Sequence, residues 1–441
     1  MKFLRYIKKV YHFYDIVKGQ KDFRKKQGRE TGVIFTIVFW SFVLRVQSFN
    51  ELEQMINYGC FDPLFPRRTK LPSVDTIGRA LAKWDLKILQ ESFERINFVL
   101  FKNKTFQDGT IDGYTVCAID GTDVINTGEN RKCSGCIFTK NADGYHYAHK
   151  SVVAMVIGDE LNFVLKHCML KVESEKEKVL SKTLEKRIVT KSEGELTGAM
   201  KLIKELPSGI DVIVADSLYF NAPFIKEVKR NLKHAVIRLQ DKTRNIYDEI
   251  CHEAQYHTCK DIFVCKDNFR TTTVSYWFKD TMIADSTLLK NDPEKYTDMR
   301  IYKFTEVIES HVKGEEKFLF REVYVGTTDK NMTPETVWRI VHKRWYIENT
   351  CFHLLKTYCN MEHCFKHDET AIEAILYIMF MAYNLLRAFL FKRLRNFKKE
   401  YKDCKATISW FVKELLFELI CIRLLIKLKI VEADFIEASC I

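Results

Sequence analysis

Tyr114-Thr-Val-Cys-Ala-Ile-Asp120 and Asp211-Val-Ile-Val-Ala-Asp216 are two short apolar runs that each end in an aspartate. Runs of this length, rich in valine and isoleucine and bounded by turn residues, read as buried β-strands. An acid at the carboxyl end of a buried strand sits at the edge of the sheet. If the two strands are neighbours, Asp120 and Asp216 come together there. Like charges at that range repel unless a divalent cation bridges them. Each aspartate alone also reads as a turn or cap residue. Asp216 precedes Ser217-Leu-Tyr-Phe-Asn and a helical stretch, and Asp is a favoured helix cap. Gly121, after Asp120, lets the chain turn sharply beside the site.

Working outward, residues 150–158 and 161–170 are two further β-type runs joined by Gly158-Asp159-Glu160, a hairpin signal. Residues 193–206 and 220–231 carry helical patterns, and His234-Ala-Val-Ile-Arg-Leu239 is another strand. The order β, β, β, α, β, α, β predicts an α/β fold with a mixed sheet of the RNase H type. Residues 240–332 break the alternation with several short β-type runs and read as a β-rich insertion. Pro334 then opens a long helix to about Tyr358. Residues 1–107 and 367–441 read as helical, and Ser73 as an N-cap. The predicted division is 1–107 as a helical DNA-binding or dimerisation domain, 108–239 and 333–366 as two parts of a catalytic core, 240–332 as the insertion, and 367–441 as a helical, basic C-terminal region.

The third acid lies in Arg344-Trp-Tyr-Ile-Glu348-Asn-Thr-Cys-Phe-His-Leu-Leu-Lys356. On a helix Arg344 and Glu348 are i and i+4, and Lys356 follows Glu348 by a little over two turns, so all three lie near one face. A solvated helix with a routine ion pair fits the same spacing. However, Trp345, Ile347, Phe352 and Leu355 predict that this helix is partly buried. Three carboxylates offer hard oxygen ligands suited to Mg²⁺. Two such ions ~4 Å apart activate a nucleophile and stabilise a leaving oxygen in phosphodiester chemistry.

Cys133-Ser-Gly-Cys136 followed by His146-Tyr-Ala-His149 has the form C-x2-C, H-x2-H. Two thiolates and two imidazoles form a structural zinc set, if a hairpin tip closes the intervening residues. A turn with two incidental thiols is the other reading. Glu193 and Glu195 open a helix, where acids favour the helix dipole.

The chain has 441 residues and a net charge of +12. The segments 1–29 and 387–405 together hold eighteen Lys/Arg against four acids, more positive charge than the whole chain carries in excess. Nucleic acid is therefore the leading partner. The run Lys392, Arg393, Arg395, Lys398 and Lys399 is the candidate phosphate-contacting face, with a merely solvated helix face as the alternative. Fourteen cysteines in a chain this long, many in apolar runs, fit a reducing cytoplasm rather than a disulfide scaffold. Residues 33–46 are too short to span a membrane. Residues 371–391 are long enough, but Glu373, Asn384 and Arg387 interrupt them, so no membrane is expected.

The ordered set Ala118-Ile-Asp120-Gly-Thr-Asp123, Ala215-Asp216-Ser-Leu-Tyr219 and Arg344-Trp-Tyr-Ile-Glu348-Asn, with Met361-Glu-His-Cys-Phe365 and Ala382-Tyr-Asn-Leu385 downstream, resembles the DDE transposases of bacterial insertion sequences. The group in question carries a β-rich insertion before the last acid. The resemblance covers roughly residues 70–395. It implies that Asp120, Asp216 and Glu348 bind two Mg²⁺ ions, with Mn²⁺ as a substitute, and that Arg344 and Lys356 contact phosphate. The signature differs here, since Val341 stands where a Tyr is usual and Leu355 where a Lys is usual. The resemblance further implies a cytoplasmic, nucleoid-associated bacterial protein. It would act as a dimer on the inverted repeats of an element, cutting DNA and joining 3′-ends to a target. The rivals are another RNase H-class nuclease and a domesticated DNA-binding protein without catalysis.

Overall fold

The run ending in Asp120 continues well past it: β1 spans Val116–Asn126. It pairs antiparallel with β3 (Gly144–Ile157), which pairs in turn with β2 (Ile137–Asn141) and β4 (Asn162–Met169). On its other side β1 runs parallel to β7 (Val212–Ala215), and β7 parallel to β8 (His234–Leu239). The central order β4-β3-β1-β7-β8, with only β3 reversed, is RNase H-like. Val116–Ile119 and Val212–Ala215 are fully buried, as expected for parallel strands covered on both faces. Helices α7 (Glu195–Lys204) and α8 (Ala222–Arg230) connect β7 to its neighbours in sequence. This computed structural model describes residues 2–430 apart from 27, 142–143, 159–160, 180–185, 243, 258, 260, 268–269, 285–295, 313–314, 394–403 and 429.

The sheet does not stop at β8. Thr327–Tyr324 of β12 (Glu315–Thr327) pair antiparallel with Val236–Leu239. The antiparallel strands β11 (Tyr296–Val312), β10 (Arg270–Ala284) and β9 (Asp261–Asp267) follow outward. A helix, α9 (Asn245–Ala254), precedes them. Residues 261–327 thus extend the catalytic sheet by four strands.

Three strands escape the sequence reading. β2 lies in a loop-like stretch. β5 (Val172–Val179) and β6 (Lys186–Ser192) form a separate two-stranded ribbon. The β5 sequence Val-Glu-Ser-Glu-Lys-Glu-Lys-Val has no apolar face, so the alternation that marks a strand is absent.

Six N-terminal helices, α1 (Lys2–Tyr11), α2 (Phe13–Gly19), α3 (Thr31–Val43), α4 (Phe49–Tyr58), α5 (Val74–Leu81) and α6 (Leu86–Lys102), gather with α12 (Glu369–Arg393). The helical N-terminal stretch is divided at His12, whose φ of 50° lies in the left-handed region. Ser73 caps α5 as expected, accepting from the Thr76 N–H, and Asp85 caps α6. The last described helix is α13 (Cys404–Lys427).

Among the described residues α12 is the one helix long and apolar enough to cross a membrane, yet 83% of its most apolar window is buried. Its polar break serves the fold. Asn384, fully buried, accepts from the Val164 N–H at 2.9 Å and donates to the Val164 carbonyl at 2.7 Å and to Asn97 Oδ1 at 2.9 Å. It thereby satisfies the outer edge of β4, which among the described residues pairs only with β3. An unpaired buried N–H costs about 1–3 kcal/mol. Asn384→Leu is expected to lower stability by about that amount, read as a smaller urea midpoint at unchanged slope.

Candidate active site

Register places the first two acids. Ile119 pairs with Ala215, so Asp120 and Asp216 leave the adjacent parallel strands β1 and β7 side by side. Asp216 enters a single 3-10 turn, Ser217–Tyr219. Its Oδ1 is buried without a hydrogen-bond partner among the described residues.

Glu348 comes from across the sheet edge. Thr333 caps α10 (Pro334–Lys343), with Pro334 in its first turn. The predicted single helix to Tyr358 is interrupted, however. The chain turns at Arg344–Trp345, winds as a π-helix over Ile347–Phe352, and resumes as α11 (His353–Cys359). Two side chains account for the break. The Thr350 hydroxyl donates to the Tyr346 carbonyl one turn back, loosening the ladder there. Arg344, only 2% exposed, is drawn down between the acids. Its Nη1 donates to Glu348 Oε1 at 2.9 Å and lies 3.4 Å from Asp120 Oδ2. The i, i+4 pairing expected from the sequence therefore forms, and it extends to Asp120. Wide turns of this kind recur where a helix must re-aim a functional side chain.

Arg344 is thus shared by Asp120 and Glu348, and Asp216 stands beside Asp120 on the neighbouring strand. Burial pushes the Asp120 carboxyl up to about 7, and the neighbouring Glu348 and Asp216 charges add to it. Arg344 and the Gly121 N–H act in the opposite direction. Strongly perturbed acids of this kind cluster at functional sites. Oxygen donors, a buried orphan oxygen and mutual repulsion all fit a hard divalent cation.

A fourth carboxylate borders the site. Glu195 stands in the first turn of α7, as read from the sequence, but its carboxyl also lies against Gly121. A Cβ at position 121 would fall 2.5 Å from the Glu195 carboxyl carbon. Gly121 is thus inside β1, making room rather than making a turn. Burial raises the Glu195 pKa, with Lys150 opposing and Asp123 reinforcing. Tyr219 is 1% exposed, and its hydroxyl has no hydrogen-bond partner among the described residues. Burial, together with Glu195, Asp120 and Asp216, holds that hydroxyl neutral. Gly121 directly after Asp120 is the one sequence signal for this crowding.

The other predicted residues fall as follows. Lys356 Nζ pairs with Glu362 Oε1 at 2.6 Å. Lys392 is half-buried near the end of α12, and Arg393 ends that helix; Arg395, Lys398 and Lys399 lie outside the described residues. Cys133 and Cys136, in the β1–β2 connection, meet His149 of β3: Cys133 Sγ lies 2.8 Å and Cys136 Sγ 3.6 Å from its Nε2. His146 does not join them. Its Nε2 lies 3.1 Å from Asp123 Oδ2. Both histidines are on one strand three residues apart, and side chains alternate along a strand, so they face opposite ways. The H-x2-H reading requires a loop.

In the protein without metal, Asp120 carries a stability cost wherever it is ionised. Its folded pKa is raised above the unfolded value, so the penalty is full above pH 7 and disappears as pH falls toward 4. Asp120→Asn is expected to stabilise the metal-free chain at pH 8 by roughly 2–4 kcal/mol and to do little at pH 4, checked by thermal unfolding at both values.

No curated protein matches the chain. Residues 112–385 match the family described as the transposase DDE domain. The match covers more than half of the sequence and reaches from just before β1, through all three acids, to Leu385 in α12. An RNase H-like sheet carrying acids side by side on adjacent parallel strands, with the third supplied after a β-rich insertion, agrees with that match, and the chain belongs to the DDE transposase family.

Proposed function

We propose that this transposase binds the ends of a mobile DNA element, cleaves phosphodiester bonds by a two-metal mechanism, and joins the freed 3′-ends to target DNA. One observation carries the reading: Asp120 within β1 and Asp216 just past the end of the neighbouring parallel β7 lie side by side, and Arg344 joins Asp120 to Glu348. Asp120, Asp216 and Glu348 would hold two Mg²⁺ ions, or Mn²⁺ in their place. When bound, the ions supply a nucleophilic oxygen at neutral pH and neutralise charge on the leaving oxygen.

The chain's own residues prepare that arrangement. The β1–β7 register fixes two carboxylates at one height. The π-helical turn aims Glu348 at them, and Arg344 restrains the Asp120 and Glu348 side chains from rotating freely. Its guanidinium also supplies a fixed positive charge for a phosphate entering the site. Lys356, released from Glu362, would be a second phosphate contact. Glu195 and Tyr219 narrow the floor beneath Gly121. The helical segments 1–107 and 367–441 would bind and pair the element ends in a homodimer, with 108–239 and 333–366 as the catalytic core around the 240–332 insertion.

Asp120→Asn, Asp216→Asn and Glu348→Gln are each expected to reduce cleavage of a terminal-repeat duplex by at least about 10³-fold, as expected when positioned electrostatic groups are removed. Binding of the same duplex should stay within a few-fold in a gel-shift assay. Near wild-type cleavage in any one variant removes that residue from the set. Release of cut strands without joining to a target duplex would favour the reading as another RNase H-class nuclease.

Backbone affinity should come mainly from the two basic segments. With Lys392, Arg393, Arg395, Lys398 and Lys399 all replaced by Ala, log affinity should fall less steeply with log salt, by roughly 0.9 for each phosphate that is no longer neutralised, on specific and random duplexes alike. Cleavage per bound complex should change little. An unchanged slope identifies the run as a solvated face only.

A further inference from the structure

The thiol–imidazole group on the β1–β2 connection is remote from the acids' chemistry, and its geometry is that of a metal site. The Cys133 and Cys136 sulfurs are 3.2 Å apart, and the three donor atoms of Cys133, Cys136 and His149 all lie within 4.8 Å of one another. Tetrahedral zinc, with bonds of ~2.3 Å to sulfur and ~2.0 Å to nitrogen, sets S···S near ~3.8 Å and S···N near ~3.5 Å. The observed separations of 2.8, 3.2 and 3.6 Å need to open by less than about 1 Å, within reach of side-chain rotation.

The frame around these donors is tight. His149 is 3% exposed and is held in β3 opposite Ile125 of β1. The Cys136 N–H closes a turn onto the Cys133 carbonyl at 3.3 Å. A Cβ on Gly135 would meet His149 Cε1 at 2.9 Å and the Glu369 side chain at 2.8 Å, so the loop lies directly on the imidazole. Three protein ligands leave one corner open. The segment after α11 runs alongside. Its Glu362 carbonyl accepts from the Asn126 N–H at 3.1 Å. Cys364 is bracketed there, between Glu362, bonded to β1, and Glu369, whose side chain lies against Gly135. Glu369 is engaged by the Ser134 hydroxyl at 2.5 Å. Cys364, whose Sγ lies 3.0 Å from His367 Nδ1, is the softer ligand and matches the thiolates already present.

We propose that Cys133, Cys136 and His149 bind one structural zinc ion, and that Cys364, whose sulfur lies outside their 4.8 Å group, moves in as the fourth ligand and ties the β1–β2 connection to the segment between α11 and α12. The site would lock the helix bearing Glu348 to the strand bearing Asp120. It does not depend on the DNA chemistry, so the two readings fail separately.

The test is metal content of the purified full-length chain, measured with no DNA present. Wild type should hold about one zinc per chain through dialysis. Cys133→Ser and His149→Ala should lose it, whereas His146→Ala and Glu369→Gln should keep it. With cobalt(II) as the probe, Cys364→Ser should weaken the thiolate-to-metal absorption band by about one third, as three thiolate ligands become two. Where a variant does not fold, wild type serves: chelation should lower the melting temperature, and zinc but not magnesium should restore it. No zinc in wild type, loss of zinc in His146→Ala or Glu369→Gln, or an undiminished cobalt band in Cys364→Ser each overturn the proposal.

Discussion

Three carboxylates held at one edge of a sheet would separate if nothing opposed them. In this chain the opposition is the Arg344 guanidinium, buried and shared between Asp120 and Glu348. Most local irregularities near the site follow from that need. Bringing Arg344 down requires the helix to turn at 344–345, and recovering Glu348 on the same face requires the wider π-helical winding that follows. The balance is incomplete, because one arginine cannot neutralise Asp120, Asp216 and Glu348. Burial, with the uncompensated Glu348 and Asp216 charges added to it, keeps Asp120 far from its ordinary ionisation range. The site is stable enough to fold and strained enough to welcome positive charge.

The framework is legible in the sequence because it obeys simple periodicity. The runs before Asp120 and Asp216 are uniformly apolar, and only a strand covered on both faces has that character at that length. Ser73 as a cap, the 150–170 hairpin and the Arg344–Glu348 pair are readable for similar reasons. The failures also have physical causes. β5 is nearly all charge, so no apolar face announces it. The break in the 334–358 helix depends on Thr350 and on a buried arginine, neither of which disturbs the helical spacing of the apolar residues. His146 groups with His149 only if their stretch is a loop. Once the stretch is a strand, a spacing of three forbids it.

Glu195 illustrates a different limit. As a first-turn acid it has a sufficient local explanation, and nothing in the neighbouring sequence asks for a second one. Only the fold shows that the same residue presses on Gly121. A glycine beside an acid can mark the approach of another chain segment as readily as a turn.

The pairing of β12 with β8 has a mechanical consequence. Ordinarily an inserted module is joined by linkers and swings on them. Here ladder hydrogen bonds run without interruption from β9 through β12 and β8 to β7, whose end bears Asp216. β11 alone is 17 residues, a beam of roughly 55 Å. Any object gripping the outer strands would therefore not simply rotate them. It would load the same continuous hydrogen-bonded sheet from which Asp216 emerges.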